Sequence, residues 1–335
     1  MTPARTVHVD AALAVPVPGF GCMSFSQSYG KADDEQSKDV LRKAVELGCT
    51  FWNTATIYGK DQHNERLIGQ VLREGENRSK VTIVTKWGLK HAEGGLETDG
   101  SAAFASVCIN QSIRNLGSAP DIWLLHRVDK NTPIEESVKA MEEARKERKC
   151  KYIGLSAMSA ASLRRAVAVA KIHFVEMEFS LFERAIEING VLDACKEHGV
   201  RVLAYSPLGK GWLTGRFRTF EDFKKDGDLR SSGAFPRFNE DVFEHNFKLV
   251  QALEKLAEKK GCMPSQLALA WVSQVHGDLI IPIPGTKTVK YLEENWASRN
   301  VVLTDEELAE VQKISEENPV KGEQYGPQFA KLLDE

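Results

Sequence analysis

Residues 152–204 read YIGLSAMSAASLRRAVAVAKIHFVEMEFSLFERAIEINGVLDACKEHGVRVLA. Three short apolar runs, Tyr152–Leu155, Phe174–Met177 and Val200–Ala204, alternate there with two stretches of helical period, Ala160–Ala170 and Ile186–His198. Parallel strands need a helix-length crossover, so this spacing predicts a parallel sheet. The same unit recurs outward in both directions. Upstream lie the runs Cys49–Trp52, Val81–Thr85 and Ile122–Leu125, and a weaker one at Val17–Met23 that proline and glycine interrupt; downstream lies Leu279–Ile283. Helical stretches at Asp33–Leu47, Asn64–Leu72, Ala102–Leu116, Ile134–Arg145, Asp241–Glu258 and Val289–Ala297 fill the gaps. Asp39, Val40, Lys43, Ala44 and Leu47 give the first of these the mixed polar and apolar faces of an outer helix. Strands and helices in this number predict a closed (β/α)8 TIM barrel, typically of about 250 residues plus insertions. An open doubly wound sheet is the competing layout.

The insertions are visible as well. Gly209–Asn239 follows the seventh strand, has little helical period, and reads as a long functional loop. Gly261–Val275 contains SQLALAWVSQV and reads as an extra helix before the last strand. After Leu303, Thr304 and Glu307 form a capping box that opens one more helix, followed by a tail. We expect a single domain, residues 1–335. The net charge of −3 offers nothing to attract nucleic acid or an anionic membrane. No apolar run reaches membrane-span length, and Pro16 and Pro18 break the apolar part of the N-terminus, so neither a span nor a signal peptide is expected. The cysteines (Cys22, Cys49, Cys108, Cys150, Cys195, Cys262) are scattered without a CxxC pair. That pattern suggests reduced thiols and a cytoplasmic setting. His63 and His91 lack partners at metal-ligand spacing, so no metal is expected.

In such a barrel, chemistry sits at the carboxyl ends of the strands. The second strand runs into Asn53-Thr54-Ala55 and then Tyr58-Gly59, the third ends Thr85-Lys86-Trp87, and the fourth ends Leu125-His126-Arg127. A tyrosine, a lysine and a histidine at one mouth suit carbonyl reduction. Adding hydride to C=O builds negative charge on oxygen, which calls for a proton donor and an electrophilic cradle. Tyrosine alone is a weak acid, a neighbouring ammonium such as Lys86 lowers its pKa, and a histidine can orient the carbonyl oxygen.

The ordered set FWNTATIYGKDQHNERLIGQVL, VTIVTKWG, DIWLLHR, KYIGLS, VEMEFSLFER, RVLAYSPLGKGWLTG and IIPIPGTKTVKYLEEN resembles the aldo-keto reductase superfamily over about Val17 to Asn300. It is most similar to the branch of pyridoxal reductase-like and general aldehyde reductase enzymes. The resemblance implies NADPH-dependent reduction of aldehydes or ketones, with Tyr58 as proton donor assisted by Lys86 and His126, and Tyr205 stacked on the nicotinamide. It places Ser156 and Glu176 at the carboxamide, Ser206, Pro207, Leu208, Gly209, Lys210 and Gly211 along the pyrophosphate, and Glu294 and Asn295 near the adenine. Gly285 and Thr286 open a helix, an anion site in its own right, where Lys287 suits a 2′-phosphate and so favours NADP(H) over NAD(H). Gly19-Phe20-Gly21 is a poor dinucleotide fingerprint, because Gln27–Ala32 intervenes before any helix. Gly21 and Met23 read instead as the first strand's exit, lining the cofactor site. Phe25, Trp87 and part of Phe217–Phe238 are expected to line an apolar substrate pocket.

The chain departs from the family pattern at three places: Asn53 stands for Asp, Glu176 for Gln, and Ala157 for a frequent Asn. Asn53 cannot offset the charge of Lys86, which predicts a lysine easier to deprotonate and a slow reductase. A cofactor-binding regulatory or interaction protein on the same barrel, with slow chemistry, is the alternative. The expected partner is a small-molecule carbonyl substrate whose identity the residues do not name.

Overall fold

The computed structural model describes residues 5–26, 29–93, 95–225 and 227–334. Gln27 and Ser28, and Asp226 of the long loop, lie outside the described residues. Eight short runs form one parallel sheet: β1 (Phe20–Gly21), β2 (Phe51–Asn53), β3 (Thr82–Trp87), β4 (Ile122–Leu125), β5 (Tyr152–Ser156), β6 (Phe174–Glu178), β7 (Arg201–Tyr205) and β8 (Ile280–Pro282). Each strand pairs with the next in sequence. The ring closes where Gly19 N donates to Pro282 O at 2.9 Å, Gly21 N donates to Pro284 O at 3.0 Å, and Gly21 bridges Gly285 in parallel. A Cβ on Gly285 would lie 2.9 Å from Gly21 O, and one on Gly21 would lie 2.8 Å from Ile283 O. The Gly-x-Gly at the first strand therefore serves barrel closure. The open-sheet alternative is excluded.

Strand parity sorts the side chains, since successive residues point to opposite faces. Phe51, Val84, Ile122, Leu124, Phe174, Leu203 and Ile281 share one buried cluster inside the ring, plugged from below by Val7 and Val15 of an N-terminal hairpin, Thr6–His8 with Ala14–Pro16. The alternate positions, such as Trp123, Leu125, Ile153, Val175 and Val202, face outward and join the helical layer. That layer is α1 (Asp34–Leu47), α2 (His63–Leu72), α3 (Ala102–Leu116), α4 (Ile134–Lys146), α5 (Ala160–Val167), α6 (Val191–His198), α7 (Glu240–Lys260), α8 (Pro264–Gln274), α9 (Val289–Ala297) and α10 (Asp305–Glu317). The capping box at Thr304 and Glu307 is present.

One expectation reverses. The helix read as extra, α8, is the one packed on β8, and the amphipathic α7 lies outside it. The reason is burial. Ser265 and every residue from Leu267 to Ser273 are buried, so α8 is covered on all sides, which is why its sequence is apolar all round. Trp271 stacks on Phe179 with ring centroids 5.4 Å apart.

The long loop is folded. Its described residues form short 3-10 segments at Gly209–Thr214, which is kinked at Lys210 and Gly211, and at Phe220–Phe223, Leu229–Ser231 and Pro236–Phe238. Trp212, Phe223 and Phe238 are buried in one aromatic cluster with Phe243 of α7, with centroids between 4.8 and 5.9 Å apart. Among the described residues, all six cysteines are free, and no helix is long and apolar enough to cross a membrane.

Candidate active site

Parity also builds the site. Two residues beyond the inward apolar layer, the same face carries Asn53 (after Phe51), Lys86 (after Val84), His126 (after Leu124), Glu176 (after Phe174) and Tyr205 (after Leu203). Polar residues replace the core where the strands end. Lys86 is fully buried, and its Nζ donates to Asn53 Oδ1 at 2.5 Å. The same Nζ lies 3.0 Å from Glu176 Oε1 and 3.3 Å from Oε2. Asn53 Nδ2 donates to Glu176 Oε2 at 2.7 Å, closing a three-residue ring. A carboxylate thus meets the lysine although Asn53 supplies none, and the expected direction, a lysine easier to deprotonate, holds with burial as its first cause. The carboxylate comes from β6 instead of β2. Burial lowers the Lys86 pKa from its ordinary value, and Glu176 opposes that shift through charge and hydrogen bonding.

Tyr58 hangs over this floor from the loop after β2. Thr56 N donates to Lys86 O at 2.9 Å, and Asn64 N donates to Tyr58 O at 3.1 Å. Asn64, fully buried, accepts from Thr54 Oγ1 and donates to Cys22 O and Ser26 Oγ, so one amide ties the loops after β1 and β2 together. Gly59 holds φ at 78°, and a Cβ there would press on His63 and Ser26 at about 3 Å, so the turn after Tyr58 requires glycine. Lys86 Nζ lies 5.1 Å from the Tyr58 ring centroid, and the ring stands edge-on to His126 at 5.7 Å. Burial, reinforced by Glu176, pushes the Tyr58 hydroxyl above the ordinary tyrosine range, while Arg127 counteracts. Lowering by Lys86 was the expectation; with its charge answered by Glu176, burial wins and Tyr58 stays protonated. His126 is held well below its ordinary value by burial, with Lys86 and Arg127 adding to the shift, so it is neutral at pH 7.

A cavity of about 1190 Å³ opens above these groups and is lined by Tyr58, His126, Asn53, Glu176, Ser156 and Tyr205 at one end and by Gly285, Thr286, Lys287, Tyr291 and Asn295 at the other. Gly21, Met23, Ser206, Pro207, Leu208, Lys210 and Gly211 line it between. Thr288 caps α9 at the far end. Lys210 pairs with Glu178, Arg230 pairs with Asp228, and Arg216 pairs with Glu294. Lys287 instead donates to the carbonyls of Tyr29 and Lys31, at 2.9 and 2.6 Å. Ser24 Oγ, also at the cavity wall, is buried without a hydrogen-bond partner among the described residues. Among the described residues no cluster could hold a metal ion.

The sequence matches the aldo/keto reductase family over residues 19–316. The chain belongs to the aldo/keto reductase family. It is 39% identical over 316 residues to an aldo-keto reductase of Gibberella moniliformis, covering 93% of this chain and 94% of that protein. It is 37% identical over 330 residues to aldo-keto reductase yakc [NADP(+)] of Schizosaccharomyces pombe, covering 97% and 95%. Among solved structures it superimposes on an aldo/keto reductase from Klebsiella pneumoniae in complex with NADP and acetate, with a TM-score of 0.72, 25% identity, and 96% and 99% of the two chains covered.

Within this aldo/keto reductase, the residues named from sequence do not all face the cavity. Lys86 lies beneath its floor. Gly209 packs against Phe182 behind the wall, where a Cβ would sit 3.2 Å from that ring. Glu294 stands one remove back, accepting from Arg216 and Ser265, and the Arg216 guanidinium lies 3.3 Å over the Tyr291 ring. Phe25 and Trp87 are buried in the core, packed on Phe20 and Trp123, and do not line the pocket. Trp87 follows inward-facing Lys86, so parity turns it outward. Phe217 and Phe235 of the long loop line the pocket as expected, and Ile57, Leu89, Leu96 and Phe329 complete the apolar wall. Tyr325, on the C-terminal tail, was missed altogether: its hydroxyl lies 2.9 Å from that of Tyr205 and donates to Glu178 at 3.1 Å. Arg127 was also missed. It lines the cavity, and its Nη1 donates to His126 O and, at 3.4 Å, to Ser156 Oγ.

Proposed function

We propose that this reductase converts aldehydes or ketones to alcohols with NADPH, Tyr58 delivering the proton. The observation that carries the reading is a protonated tyrosine set over a buried, charge-matched lysine and beside a neutral histidine, all at one end of a long cavity. Bound NADPH supplies the hydride. The cavity suits it: the Ser24 hydroxyl, buried without a partner among the described residues, and the helix start at Val289 form a place for phosphates. Ser156 and Glu176 would hold the carboxamide, Tyr205 would stack on the ring, and Ser206–Gly211 would run along the pyrophosphate. Lys287 would turn from its two carbonyls toward a 2′-phosphate, which supports NADPH over NADH. At the reacting end, His126 donates to the carbonyl oxygen and Tyr58 protonates it as negative charge develops. Lys86 holds its ammonium under the tyrosinate that proton transfer leaves, stabilising it.

The regulatory alternative drew on Asn53, and the carboxylate of Glu176 at the same ammonium removes that support. The test is NADPH oxidation with a panel of aldehydes and ketones, including pyridoxal and aromatic aldehydes, run beside NADH. Tyr58→Phe should cut kcat by on the order of 100-fold or more, with NADPH affinity little changed. Tight NADPH binding without turnover of any carbonyl would put the regulatory reading first.

A further inference from the structure

We propose that the carboxylate partner of the catalytic lysine has changed strands in this chain, so that Glu176 is the positioning residue for Lys86 and Asn53 is its relay. The proposal rests on the reading that Lys86 serves Tyr58. Taken singly, Asn53 and Glu176 look like two weaknesses. Together they exchange an amide for a carboxylate across the barrel while keeping one negative charge in the cluster. The geometry fixes which atom does what. Asn53 turns Oδ1 to the ammonium at 2.5 Å and Nδ2 to the carboxylate at 2.7 Å. An amide can accept from a cation and donate to an anion at once without taking up a proton to do so. Glu176 meets the ammonium with both oxygens, at 3.0 and 3.3 Å.

Either position reverted alone breaks the match. Glutamine at 176 would leave an ammonium of 0% side-chain exposure with no counter-charge. Aspartate at 53 would set two carboxylates against one lysine and force one of them to hold a proton. The charged and titratable groups around Lys86 are Cys22 past β1, Tyr58 on the loop after β2, His126 and Arg127 at the end of β4, and Glu176 on β6. Glu176 is the anion among them that hydrogen-bonds the ammonium. Its second oxygen is shared between Asn53 and Lys86, so a bound carboxamide would meet Glu176 through Oε1, with Ser156 beside it.

The experiment compares Glu176→Gln, Asn53→Asp and the double exchange, read by kcat, KM, the alkaline limb of the pH–rate profile, NADPH affinity and thermal midpoint. Glu176→Gln should lower kcat by on the order of 100-fold through misplacement of Lys86, with a smaller change in KM. Its alkaline limb should move to lower pH, because the anion that favours the ammonium is gone. Asn53→Asp should move the limb the other way. The double exchange should regain most of the loss, a coupling of about ten-fold or more between the positions, and recover the thermal midpoint. If Glu176→Gln does not fold, the double exchange still must. Wild-type kcat and pH profile in Glu176→Gln overturn the proposal, as does a double exchange no better than Glu176→Gln. If the natural protein reduces no carbonyl, the reductase reading fails. The proposal is then decided by whether the thermal midpoint falls in Glu176→Gln and recovers in the double exchange.

Discussion

The floor and the roof of the cavity are built in opposite ways. The floor, Asn53, Lys86, His126 and Glu176, stands on strand ends, and each side chain's direction is set by parity within a closed ring. The roof, Lys210, Phe217, Phe235, Tyr325 and Phe329, stands on the long loop, in and between its short 3-10 turns, and on the tail, and its side chains are placed by one another. Tyr325 bonds to Tyr205 and Glu178, Lys210 pairs with Glu178, and Phe235 stacks on Phe329 at 6.3 Å. A site whose chemistry is rigid and whose walls are loop-borne can change substrates without changing reaction. The comparison predicts that floor substitutions act on kcat and roof substitutions on KM.

Tyr58→Phe sets the scale for the floor. On the roof, Tyr325→Phe removes one hydroxyl that serves Tyr205 and Glu178. A hydrogen bond to a charged group is worth about 1.5–3 kcal/mol, but this one is shared with Lys210 and Gln324, so the loss should lie near the lower bound. We expect KM for substrate or cofactor to rise by roughly ten-fold, with kcat little moved. A fall in kcat comparable to that of Tyr58→Phe would erase the distinction between floor and roof.

The same division decides what the sequence could tell. Lys86 and His126 close short apolar runs and Tyr58 follows another by one short loop, so their place at the mouth of the barrel was legible from local pattern alone. The outward turn of Trp87 is legible by parity as well: if Lys86 faces in, its neighbour faces out. The relation between Asn53 and Glu176 was not, because nothing local says that β2 and β6 face each other across the ring. The tail carried no signal, since the hydroxyl of Tyr325 bonds to residues 120 and 147 positions away. The reversed roles of α7 and α8 show the limit of periodicity: an amphipathic helix advertises itself, whereas the buried crossover helix does not.

A smaller effect tests the floor through stability. His126 is held below its ordinary value, so between about pH 6.5 and its folded value the unfolded chain takes up a proton that the folded chain refuses. By linkage, stability is complete above that range and falls as pH drops through it. Partly buried His173 is shifted the same way and adds to the slope. Melting midpoints of the cofactor-free protein should therefore decline from pH 7 toward pH 5, and decline less steeply in His126→Asn. Parallel curves for the two proteins would mean that His126 takes up its proton without cost to the fold.

The smallest effect concerns the rim, where floor meets roof. Ala157 follows β5 with φ of 46°, in the left-handed region, and its N–H donates to Glu176 O at 2.9 Å. That bond holds the backbone of β6 where Glu176 must stand, so the strained conformation serves the floor. For a residue with a Cβ the left-handed region costs about 1–2 kcal/mol, and asparagine tolerates it better than alanine because its side chain can bond locally. An asparagine at this place would thus gain on backbone grounds alone. Ala157 is 6% exposed and does not line the cavity, so the new amide must find its partners beside the strand end. Ala157→Asn should stabilise the protein by up to about 1 kcal/mol, a rise in melting midpoint of roughly 2 °C in a chain of this size. NADPH affinity and kcat should stay unchanged. A lower midpoint would show that the amide finds no partner there. An unchanged midpoint with tighter NADPH binding would move position 157 from the scaffold into the cofactor site.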